Sequence, residues 1–184
     1  MGGSRRFAAM RFALALCLVA GSVRADFASN AAYQIDVAPT GEYTAGTSAG
    51  HPVPRESLLY HGAGDPLAST TFNSIRSYDS SVDYKLTSKL PRSVAPFTCT
   101  ALHVAGAATH EQFAGQSPPS VGFRTTWDLA TAEDDFLAVQ EIVIEGSDVS
   151  DSVVRITVRV TNRAPSVGSL GIRFMWDIAA NTTT

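Results

Sequence analysis

A chain of 184 residues, 45% of them hydrophobic, suits one folded domain, and two cysteines are too few for a disulfide-framed miniprotein. Its balance of 14 basic to 17 acidic residues argues against a nucleic-acid backbone or an anionic membrane surface as partner.

Residues 1–25 read as a secretory signal peptide. Arg5, Arg6 and Arg11 give a basic start, residues 12–20 (FALALCLVA) an apolar run, and Val23 and Ala25 small residues around a cleavage point. The run is shorter than the roughly 20 residues a bilayer span takes, so no membrane span is expected after cleavage. The mature chain is expected to begin at Asp26 and to be secreted or held at the cell surface, extracellular or periplasmic. Two other export signals fit less well. Leu16 stands where a lipobox needs a small residue before Cys17, and Ala8 stands where the twin-arginine pattern opened by Ser4, Arg5, Arg6 and Phe7 prefers a bulky apolar one. Cleavage removes four arginines and no acids, taking the formal charge from −3 to −7. It also leaves Cys99 as the sole cysteine, read as a small buried apolar side chain without an intrachain partner.

Residues 26–56, rich in Ala, Gly, Thr, Ser and Pro, read as a loosely ordered leading segment with candidate short strands at 33–37 and 42–45. Residues 57–184 read as the domain proper, an all-β antiparallel β-sandwich. Strands are expected near 57–61, 70–77, 82–88, 97–105, 121–129, 136–146, 152–162 and 170–178. No mature stretch of a dozen residues holds a helical apolar period. The best pattern is 152–162, where Val154, Ile156, Val158 and Val160 alternate with Arg155, Thr157, Arg159 and Thr161. With 136–146 it should form a hairpin across residues 147–151, and 170–178 should return beside it as the third strand of a meander.

Residues 120–130 and 169–179 echo each other, sharing Ser, Gly, Arg, Trp, Asp and Ala in matched positions. The expectation is two strands with equivalent places in the sandwich, Trp127 and Trp176 on core faces beside Phe123 and beside Ile172 and Phe174. Were they antiparallel neighbours, Arg124 would face Asp177 and Arg173 would face Asp128.

The strand Gly171-Ile-Arg-Phe-Met-Trp-Asp177, following Val158-Arg-Val-Thr-Asn162, resembles a signature of β-sandwich modules in large secreted bacterial proteins. The resemblance covers residues 136–181. It implies an extracellular accessory or surface module and carries over no catalytic residue. In such modules the strand runs into an Asn-Asp-Gly-type loop and more chain, whereas here Asn181 is followed by three threonines and the sequence stops, so the sandwich is expected to be incomplete at its C-terminus.

Motifs that could carry chemistry are sparse. Gly46-Thr-Ser48-Ala-Gly50 fits the G-x-S-x-G pattern, but Pro52 and Pro54 follow where a nucleophile elbow needs a helix, so a flexible loop is expected. His110-Glu111 opens like a zincin motif, and Ala114 occupies the place of the second ligand. His51, His61 and His103 lack ligand-like spacing. Gly62-Ala-Gly64 lacks the third glycine of a phosphate loop. The carboxylates Glu133, Asp134 and Asp135, and Glu145, Asp148 and Asp151, read as solvated turn residues, with calcium held by such loops as the alternative. Tyr60, Tyr78 and Tyr84 are candidate platforms for sugar rings, with core burial as the competing reading. No catalytic, cofactor or metal residue is therefore assigned. The expected function is a secreted non-catalytic surface, adhesion or glycan-contacting module, its partner a glycan or a cell-surface protein. The alternative is a fragment of a sandwich-fold carbohydrate-active enzyme, with Asp128 and Asp177 as its candidate carboxylates.

Overall fold

The structure is a computed structural model describing residues 26–59, 71–87, 102–104, 109–131, 134–165, 168–176 and 178, with backbone alone at 102–104. Residues 1–25, expected to form a signal peptide, and Tyr60, His61, residues 62–64, Cys99, Glu133 and Asp177 lie outside the described residues.

The described chain is all-β. Its strands are β1 (Asp26–Ser29), β2 (Tyr33–Val37), β3 (Tyr43–Thr47), β4 (Phe72–Ser77), β5 (Val82–Lys85), β6 (Leu102–Val104), β7 (Thr109–Gln116), β8 (Pro119–Ala130), β9 (Asp135–Glu145), β10 (Val153–Asn162) and β11 (Leu170–Met175). No described helix is long and apolar enough to cross a membrane. The strands build three sheets, ordered β1-β2-β3, β10-β9-β8-β7 and β11-β4-β5-β6. Every pairing is antiparallel except β5 with β6.

One long sheet is covered by two short ones. Successive strand side chains point to opposite faces, and on β8 and β9 the buried set is Phe123, Trp127 and Leu129 with Phe136, Ala138, Ile142 and Ile144. Half of this face, Phe123, Ile142 and Ile144, packs with Ile35, Val37, Tyr43 and Ala45 of the first sheet. The other half, Trp127, Leu129, Phe136 and Ala138, packs with Ile75, Tyr84 and Leu86 of the third. The result is a sandwich with two core clusters end to end.

Where the two covers meet, the long sheet turns polar. Gln140, 1% exposed, occupies the inner face of β9 between the clusters. Its Nε2 donates to the Gly41 carbonyl at 2.9 Å, and its Oε1 accepts from Asn73 Nδ2 at 2.7 Å. Asn73 Oδ1 in turn accepts from the Tyr43 hydroxyl at 3.1 Å, and that hydroxyl accepts from Trp176 Nε1 at 3.0 Å. Burial pushes the Tyr43 phenol up to about 12, with its bonds to Trp176 and Asn73 pulling the other way. Gly41 has φ +104°, and a Cβ there would lie 2.3 Å from Trp127 Cζ2, so the turn can sit on the indole only as glycine.

Sequence patterning located most strands. The hairpin of β9 and β10 forms as expected, Val153 pairing with Glu145 and Asn162 with Phe136. Residues 26–56, expected to be loosely ordered, hold three strands and much of one core cluster. β7 was missed because THEQFAGQ shows no apolar alternation. Of the strand expected at 57–61, the described residues 57–59 contribute bridges at Ser57 and Leu59.

The meander is a correction. β11 leaves β10, crosses to the opposite layer and pairs with β4, Leu170 with Ser77 and Met175 with Phe72. Pro165, which has no N–H to donate, follows β10 in the connection. The echoed strands β8 and β11 therefore lie in different sheets. Arg124 pairs with Glu141 and Glu111, and Asp128 pairs with Arg163, not with Arg173. Trp127 is fully buried, but Trp176 is 53% exposed, and Ile172 and Phe174 are exposed with it, because β11 is the edge strand of its sheet.

The two tryptophans should separate energetically. Trp127→Ala should cost about 3–5 kcal/mol through the cavity it leaves, and Trp176→Ala about 1 kcal/mol through one lost hydrogen bond and partial burial. Urea denaturation of the two variants measures the difference, and equal losses would contradict the assigned burial.

Candidate functional site

On the outer face of the third sheet, side chains of β4 and β11 and the β4–β5 hairpin enclose a shallow groove of about 270 Å³. Strand parity decides its lining. Ile75 and Asn73 of β4 point into the sandwich, so Ser74, Arg76 and Tyr78 point out. Register then places Asp83 beside Arg76, with Gly171 on its other side, and Arg173 beside Ser74.

The groove is charged and aromatic. Arg76 Nη1 donates to Asp83 Oδ2 at 2.7 Å, and Asp83 is buried, which strengthens the pair relative to a surface ion pair. Arg173 is exposed and has no carboxylate partner among the described residues, leaving one uncompensated positive charge in the groove. Tyr78 is 60% exposed, and its ring lies against Gly171, where an added Cβ would come within 3.0 Å of the hydroxyl. Glycine at 171 is what allows the ring to lie on the strand.

The hairpin turn that carries Tyr78 is fastened on both sides. Tyr78 N donates to the Ser169 carbonyl at 3.0 Å, and Ser169 N donates to Asp79 Oδ2 at 3.0 Å. Beneath the turn, buried Asp134 accepts from Ser77 Oγ at 2.9 Å, Ser80 Oγ at 2.5 Å and the Tyr84 hydroxyl at 2.7 Å. Burial pushes the Asp134 carboxyl up, but the bonds from Ser80, Tyr84 and Ser77 outweigh it and leave the group below its ordinary value.

Most residues singled out by sequence fall elsewhere. Ser48 Oγ donates to the Ala31 carbonyl at 2.5 Å, and His51 binds Val53 through Nδ1, so the G-x-S-x-G serine faces backbone groups. His110 lies stacked on Phe123 with Nδ1 2.8 Å from Thr125 Oγ1 and Nε2 3.4 Å from Asp26 Oδ2. Burial lowers its pKa, with Asp26 opposing. Tyr84 is core, not platform. Asp134, expected to be a solvated turn residue, is buried because the turn tucks its carboxylate under the β4–β5 hairpin. Its neighbour Asp135 pairs with Arg163. Glu145 pairs with Arg155, Asp148 accepts from Ser150, and Asp151 accepts from Ser147 and Asp148. No group of three or more potential metal ligands occurs among the described residues.

Of the residues in the groove, sequence singles out Tyr78 as a candidate platform and Arg173 as part of the echoed motif, there expected to face Asp128. Arg76 and Asp83 carry no signal, and the three charged residues meet through the pairing of β11 with β4, which nothing local announces. Comparison with protein-family models, curated proteins and solved structures found no match to this chain.

The state of Asp134 should govern this hairpin's stability. With a folded-state pKa below the ordinary 3.8, the ionised carboxylate stabilises the fold above that pH, and its contribution is lost as pH falls through the folded value. Asp134→Ala should cost about 1–3 kcal/mol at pH 7. Denaturation curves at pH 7 and pH 3 should show wild type and variant converging at the lower pH, and an undiminished gap would refute the role.

Proposed function

We propose that the protein is a secreted, non-catalytic surface module that contacts glycans through the groove of Ser74, Arg76, Tyr78, Asp83, Gly171 and Arg173. The observation that carries this reading is Tyr78, an aromatic ring more than half exposed beside a polar concavity, where burial would be the norm for so large a side chain. The electron-rich face of a phenol receives the polarised C–H groups on the flat side of a pyranose ring. The neighbouring guanidinium, carboxylate and hydroxyl groups supply the directional hydrogen bonds that a sugar's hydroxyls require. Small-molecule sites combine an apolar surface with a few placed polar groups in this way, and about 270 Å³ fits one ring of a saccharide chain rather than a whole oligomer.

The leader-like residues 1–25 support export. Asp128, one of the two carboxylates that an enzymatic reading would use, is held in an ion pair by Arg163 on the outer face of the long sheet, away from the groove.

Affinity electrophoresis of the protein in gels containing a panel of neutral and acidic polysaccharides tests the reading. At least one polysaccharide should retard the protein, Tyr78→Ala should weaken that retardation about tenfold or more, and no new reducing ends should appear on long incubation. Unretarded migration in every gel would overturn glycan contact, and released reducing ends would overturn its non-catalytic character.

A further inference from the structure

Resting on the glycan-contacting reading, we propose that the groove selects acidic sugars, and that Arg173 pairs with the carboxylate of a uronate residue while Tyr78 receives the ring. The argument starts from the unequal commitments of the two guanidinium groups. Arg76 is tied to Asp83 at 2.7 Å, and Asp83 is buried, so withdrawing Arg76 toward a ligand would strand a buried carboxylate without its counter-ion. Arg76 is therefore a fixed wall of the site. Arg173 lines the same groove from β11, is exposed, and has no carboxylate partner among the described residues, so its donors are available to a ligand.

A guanidinium presents a planar fork of N–H groups that matches the two oxygens of a carboxylate, giving geometric selection as well as charge. Of the two guanidinium forks in the groove only that of Arg173 is without a carboxylate partner among the described residues, and it is set in a chain whose formal charge is −3. A ligand bearing one negative charge per ring gains the local pairing, whereas a densely sulfated or phosphorylated chain meets repulsion from the rest of the surface. Position fixes the order of recognition. Arg173 pairs across β4 with Ser74, and Gly171, two residues before it on the same face, carries the Tyr78 ring. Residues two apart on a strand are about 6–7 Å apart, the scale of one pyranose ring with its exocyclic carboxyl. The ring on Tyr78 and the carboxylate at Arg173 are thus reached by a single sugar residue.

The experiment uses the full chain and four probes: oligogalacturonate, its carboxyl-reduced counterpart in which each carboxylate has become a neutral CH₂OH, oligomannuronate, and a sulfated neutral glycan. Titration calorimetry should find at least one uronate oligomer bound, with carboxyl reduction of oligogalacturonate, if it is the ligand, weakening binding at least tenfold. Arg173→Gln should reproduce that loss on uronates, and Arg173→Lys should recover part of it. Tyr78→Ala should weaken uronate and reduced oligomer alike. Arg173 is exposed, so its variants should keep the wild-type circular dichroism and melting temperature, which separates recognition from folding. Equal affinity for the reduced oligomer, preference for the sulfated glycan, or an unaltered Arg173→Gln would overturn acidic selection while leaving glycan contact standing. Binding of a neutral polysaccharide with no uronate bound would do the same. No binding to these probes or to any polysaccharide of the wider panel would overturn both.

Discussion

The architecture follows from a mismatch of lengths. β8 has 12 residues and β9 has 11, so the face they share runs for about 36–40 Å at roughly 3.3 Å per residue. β2 and β3 have five residues each and β4 six, about 17–20 Å. Two short sheets are needed to cover one long one, and between them a line of backbone and side-chain polar groups comes to lie inside the sandwich. Burying such groups unpaired costs more than the pairing itself returns, so the junction must be satisfied internally. Gln140 does this with a side chain that both donates and accepts, reaching the Gly41 carbonyl of one cover and Asn73 of the other. Around it His110 and Thr125 continue the polar row across the long sheet, joined through Nδ1 and Oγ1.

The groove inherits its geometry from this junction. Asn73, held by Gln140, fixes the start of β4, and Arg76 and Tyr78 follow at the spacings that strand parity imposes. At the far end Asp134, delivered by the connection between β8 and β9, holds Ser77, Ser80 and Tyr84. A strand pinned at both ends through its inward side chains presents its outward side chains with little freedom, which is what recognition of a rigid sugar ring requires. The exposed charges on the far side of the long sheet serve a different purpose. Arg124, Arg155 and Arg163 each engage glutamate or aspartate there, a solvated ladder on strands whose other face is core.

Sequence patterning exposed the faces of the strands but not the layer each face would meet. The alternation of Val154, Ile156, Val158 and Val160 with Arg and Thr was enough to place β10 and its hairpin with β9, since both partner and turn are local. β11 carried an equally good pattern and was misplaced, because its partner β4 lies some ninety residues earlier and the choice is made by tertiary packing. Trp127 and Trp176 show the limit most directly. They occupy the same place in local sequences that share Ser, Gly, Arg, Trp, Asp and Ala, yet one strand is central and the other an edge, and centrality is a property of the sheet. The site was less legible still. Tyr78 could be suspected as an aromatic, whereas the polar residues that matter most to the fold, Gln140, Asn73 and Asp134, read as unremarkable members of strands and turns.

Dividing the core at a polar row also divides its energetics. Side chains around Ile35, Phe123 and Ile144 share no contacts within their cluster with those around Ile75, Trp127 and Phe136, and perturbations at separate, unshared sites add rather than couple. Away from Tyr43 and Gly41, which reach Asn73, Trp176 and Trp127, substitutions under β1–β3 should therefore leave the sheet that bears the groove undisturbed, and that sheet can change its outer face without disturbing the other half of the core. Only the groups of the junction, Gln140, Asn73, Tyr43 and the Gly41 turn seated on Trp127, feel both halves at once, which makes the core two semi-independent compartments joined by a narrow polar seam.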